Sequence, residues 1–140
     1  MTKKTSNILV ILLILAVLAF LVKDTFTQKN VSDLKGGFTE VASYRNENNT
    51  GPVQRIYSVS VKDTAGADLE AYGNFMPHSK YGNTKVYFFK EGPAIPTKLF
   101  PGDVNFDPKY INNCFALYEK SAMGNFGVIL NPFKQKPKNQ

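Results

Sequence analysis

The sequence predicts an α+β fold: one small domain on an antiparallel or mixed sheet of about five strands, with one helix on one face, preceded by an N-terminal transmembrane helix. Three observations carry this expectation. Ile8 to Val22 is a run of fifteen residues without a polar side chain. Beyond Gly37, segments of period-two apolar spacing surround one short segment of helical spacing, in the order strand, strand, helix, strand, strand, strand. The 140 residues include 11 Phe and 7 Tyr, which call for a packed core, and the length leaves room for one.

Residues 1–7 read as a cytoplasmic N-terminus, because Lys3 and Lys4 precede the apolar run and basic flanks stay inside. Residues 8–22 read as a transmembrane signal anchor. At about 1.5 Å per residue they span roughly 22 Å, short of a hydrocarbon core of about 30 Å. Snorkelling by Lys4 and Lys23 and helical extension through Thr5-Ser6-Asn7 make up the difference. A cleaved secretory signal is the alternative, with small-enough residues at Val17-Leu18-Ala19, but the apolar run continues past that point through Phe20, Leu21 and Val22. Either way the remainder lies outside the cytoplasm. Residues 23–37, polar and ending in Gly36-Gly37, read as a stalk.

The domain is expected over 38–133. Phe38 to Arg45 looks extended, and Asn46 to Pro52 is a polar turn. Val53 to Lys62 alternates, with Tyr57, Val59 and Val61 on one face and Ser58 and Ser60 on the other, which predicts a half-buried strand. Asp63 or Thr64 is expected to cap a helix that buries Leu69, Tyr72 and Phe75 or Met76 and stops at Gly73 and Pro77. Thr84 to Lys90 is apolar on both faces and reads as the central strand. Gly92 to Pro108 holds four prolines and reads as an irregular ordered loop, ending in a helical turn begun by Asp107-Pro108. Cys114 to Glu119 and Phe126 to Asn131 form a final hairpin. Residues 134–140 read as a disordered basic tail.

Composition excludes several function classes. One Cys cannot form a disulfide within the chain, and one His with one Cys is no multi-His or Cys-rich metal protein. The formal charge of +6 lies entirely in the tails: residues 37–131 carry nine basic and nine acidic residues. The domain has no excess charge for phosphates, so no nucleic-acid partner is expected. No cofactor is expected, because no phosphate-binding glycine loop or metal-ligand motif is present.

The candidate ligand-binding residues are His78, Lys80 and Tyr81, in the loop between helix and central strand. Histidine titrates nearest neutrality, and loops that follow helices often carry sites. The ordinary alternative is an exposed loop histidine. A Cys–His–Arg catalytic set fails, since no Arg follows Cys114. Cys114 is expected to be a small buried strand residue. Asp103-Val-Asn-Phe-Asp107 opens like a calcium loop, but Pro108 and Cys114 occupy the positions that need Gly and Glu. No catalytic residue is identified. The expected function is a membrane-anchored extracytoplasmic domain of the cell envelope, held by residues 8–22 in the cytoplasmic membrane, binding a protein or polymer without catalysis. The alternative is a small periplasmic or secreted ligand-binding domain or hydrolase with a site near His78.

Overall fold

The computed structural model describes residues 2–27, 30–47 and 51–134. Of the tail expected over 134–140, Lys134 is described and its N–H donates to the Asn131 carbonyl (3.1 Å), while residues 135–140 lie outside the described residues. The chain forms two compact units, Met1–Asn30 and Val31–Gln140.

The first unit is helix α1, Lys3–Thr27. It is longer than the apolar run, because Lys3 to Asn7 continue the helix at one end and Lys23 to Thr27 at the other. Its apolar stretch Lys3–Lys23 covers 21 residues with mean hydropathy 2.8. At about 1.5 Å per residue that is roughly 31 Å, enough to cross a hydrocarbon core. The segment is apolar on every side and exposed throughout its described side chains, unlike the striped helix of a soluble core.

The second unit is a five-stranded mixed sheet in the order of the sequence: β1 (Phe38–Arg45), β2 (Gln54–Val61), β3 (Asn83–Lys90), β4 (Cys114–Lys120) and β5 (Phe126–Leu130). β1–β2, β3–β4 and β4–β5 are antiparallel, and β2–β3 is parallel. The parallel step needs a crossover, which helix α2 (Leu69–Phe75) supplies. β1 and β5 are the two edges.

The alternation of the strands sorts the core into two layers. On one face Tyr57, Val59, Val61, Val86, Phe88 and Tyr118 pack with Tyr72 of α2. On the other face Ile56, Tyr87, Phe89 and Leu117 pack with Ile95, Leu99 and Phe106 from the segment between β3 and β4. That segment is ordered and irregular, as its prolines predict. It is tied down by Ser58 Oγ donating to the Pro96 carbonyl (2.8 Å) and Tyr87 Oη donating to Asn105 Oδ1 (2.6 Å).

Three local expectations change. β2 is buried on both faces rather than half-buried: Ser58 and Ser60 lie under the 91–113 segment. α2 begins at Leu69, five residues later than an Asp63 cap allows, with Asp68 as its N-cap. Asp63 instead accepts the Ala65 N–H in a tight turn, and the Asp68 carboxylate accepts the Lys35 N–H (3.2 Å). Ordered packing also starts before Phe38. Val31 and Leu34 pack on the α2 face, and the Gly36 carbonyl accepts from Lys62 and Asp63 (both 2.9 Å). Gly36 (φ 132°) and Gly37 (φ 62°) take backbone conformations that glycine favours, so they form a turn stitched to the end of β2.

Candidate functional site

The loop after α2 brings Met76 to Gly82 back to the start of β3. His78 is half-buried there, not exposed as a loop histidine would be. Its Nδ1 lies 3.0 Å from the hydroxyl of Thr84, and that hydroxyl donates to the Pro77 carbonyl (3.3 Å). Thr84 has one hydroxyl proton, so a bond from it to Pro77 requires Nδ1–H to donate to Thr84. Nε2 is buried without a hydrogen-bond partner among the described residues. Thr84 is itself buried. His78 therefore fastens the loop to β3, a structural use of the imidazole.

Lys80 and Tyr81 are exposed. The Lys80 Nζ sits 5.7 Å from the Tyr81 ring centroid, a solvent-exposed cation–π contact. Tyr81, 75% exposed, borders a groove of about 400 Å³ with Gln54, Asn83, Glu119 and Ser121. Neither His78 nor Lys80 lines that groove. The three candidate residues thus do not converge with a carboxylate on one cavity. Glu119 is 3.9 Å from Lys85, a loose surface pair.

The remaining reactive groups are silenced by burial. Cys114 is 6% exposed, and burial pushes its thiol up to about 12, against weaker downward pulls from the Ala116 and Phe88 backbone. A thiol that stays protonated at neutral pH is no nucleophile. Burial likewise raises the phenols of Tyr72, to about 12, and of Tyr87 and Tyr118. The calcium-like stretch is spent on structure. Asn105 donates to the Phe100 and Gly102 carbonyls (both 3.1 Å), and Asp107 accepts from Lys109 N–H (3.0 Å) to begin the 3₁₀ turn Pro108–Asn113. Among the described residues no three His, Cys, Asp or Glu side chains gather.

The feature that stands out is an edge. β5 reads Phe-Gly-Val-Ile-Leu, without a charge. Phe126 is 49%, Ile129 50% and Leu130 65% exposed. A second groove of about 330 Å³ runs along it and shares Glu119 and Ser121 with the groove at Tyr81. Soluble proteins guard edge strands with charges, prolines or bulges. β1 has such guards: Glu40, Arg45 and a register shift between Glu40 and Ala42. β5 has none. The apolar character was present in the sequence, since the last strand is apolar on both faces. Comparison of the chain with known families, curated proteins and solved structures finds no match among any of them.

Proposed function

We propose that this chain is a membrane-anchored extracytoplasmic domain of the cell envelope that works by binding a protein partner along its β5 edge, without catalysis. The observation that carries the proposal is the unguarded edge, with Phe126, Ile129 and Leu130 facing solvent beside unpaired backbone. α1 supplies the anchor, and Lys3 and Lys4 favour retention of the N-terminus in the cytoplasm. The dispersal of His78, Lys80 and Glu119, and the protonated state of Cys114, weigh against a hydrolase. Protease access from each side of intact and opened cells, with a C-terminal tag, tests the topology. Amide hydrogen exchange tests the binding. In native membranes the amides of Phe126, Val128 and Leu130 should exchange slowly, and in dilute detergent quickly. Recovery of the chain in the soluble cytoplasm, or equal exchange in both states, refutes the corresponding half.

A further inference from the structure

We propose that the occupant of the β5 edge is a second copy of this chain, paired through antiparallel β5 strands about a two-fold axis at Val128; this rests on the binding reading above. The backbone sets the register. Ser121 N–H donates to the Asn125 carbonyl and Asn131 N–H to the Phe115 carbonyl (both 2.8 Å). In an antiparallel ladder these bonds alternate, so Gly127 and Ile129 bond inward to β4, while Phe126, Val128 and Leu130 aim N–H and C=O outward. A two-fold axis at Val128 sets Phe126 against Leu130 of the other copy and Val128 against itself. All three facing pairs then exchange both bonds, about six in total.

The side chains fit the same axis. Phe126 and Leu130 lie on one face, and both are half-exposed or more, so each covers the other across the seam. On the opposite face Ile129 meets Gly127 of the second copy, where a missing Cβ leaves open space. A two-fold interface must be self-complementary, and β5 carries no charge to oppose itself. Five-residue strands bury far less than the roughly 1,600 Å² of a standard interface. The pairing is therefore weak in free solution and depends on the anchor, which concentrates the two copies.

The test uses the full chain in membranes, with Val128→Cys oxidised by copper phenanthroline and read on a non-reducing gel. The wild-type chain, whose Cys114 is buried, and Thr39→Cys on the β1 edge are the controls. A covalent dimer of Val128→Cys alone, lost when Phe126→Lys is added, is the expected result. Absence of the dimer with slow exchange at Phe126, Val128 and Leu130 overturns self-pairing and leaves another strand on the edge. If that protection vanishes on deleting residues 135–140, the chain's own tail is the occupant and self-pairing is overturned. Absence of both dimer and protection overturns this proposal and the binding reading together.

Discussion

Gly73 lies in α2 directly over the ring of Tyr118. A Cβ at this position would fall inside contact distance of Cγ and both Cδ atoms of that ring. The ring cannot step aside easily, because Tyr118 is fully buried and its hydroxyl donates to Asn74 Oδ1 (2.7 Å). Gly73→Ala therefore sets two effects against each other. Removing a glycine from a helix gains about 0.5–1 kcal/mol. Forcing an extra methyl into a filled core costs about 1–3 kcal/mol. The clash should win, for a net loss of about 1–2 kcal/mol. At roughly 4–8 °C per kcal/mol for a domain of this size, the Tm should drop by about 5–15 °C. Thermal and urea melts of residues 31–140 measure it. The cycle with Tyr118→Ala isolates the cause: once the ring is gone, Gly73→Ala should become neutral or stabilising. If Gly73→Ala is stabilising in the wild-type background, helix propensity outweighs the contact and the account of α2 docking fails.

Phe88 is fully buried with the rings of Phe38, Tyr72 and Phe115 around it, so Phe88→Ala should cost about 3–5 kcal/mol; a silent urea melt would contradict the two-layer core. Deleting residues 1–30 should leave a soluble, cooperatively melting domain, because both apolar layers are contained in Val31–Gln140; a molten product in circular dichroism would show that the anchor is needed to fold. The fold should also weaken in alkali. Cys114 rises from 9.0 to about 12 and Tyr72 from 10.0 to about 12, so folding favours their neutral forms. That stability is complete below their ordinary values and is lost as pH rises through the folded ones. The urea midpoint should stay level to about pH 9 and fall between about pH 9 and 12; a flat profile would contradict the burial of both groups.

The strands were legible because their alternation is local. Tyr57-x-Val59-x-Val61 names the α2 face of β2, and Val86 and Phe88 name that of β3, with no knowledge of neighbours. What could not be read depends on contacts distant in the chain. Ser58 and Ser60 look solvent-facing until Pro96 and its neighbours, some forty positions later, fold over them. The 91–113 segment has no period, so no pattern marks Ile95, Leu99 and Phe106 as core. The parallel pairing of β2 and β3 uses the same apolar alternation as an antiparallel one, so either sheet type fitted. The candidate site was the least legible part. His78 stands out in the sequence for its chemistry, but the sequence does not show that its ring lies against the Thr84 hydroxyl with Nε2 buried. The apolar run of β5 is legible in the sequence, but its place at an edge is not, because exposure belongs to the assembled sheet and not to any residue's identity.

The cover formed by residues 91–113 has a consequence for the newborn chain. β1, β2, α2 and β3 precede that cover in synthesis, and they can begin the α2 face, still without Tyr118 of β4, while Ile56, Tyr87 and Phe89 remain bare on the other side. This half-built sheet presents an oily surface and an open β3 edge until Asn105 reaches Tyr87 and β4 docks. Such a species is prone to stick to other chains. Conditions that slow the arrival of the C-terminal third should lower the yield of native protein without altering its final stability. Asn105→Ala, which removes the Tyr87 latch, should lengthen the exposure as well as weaken the finished fold.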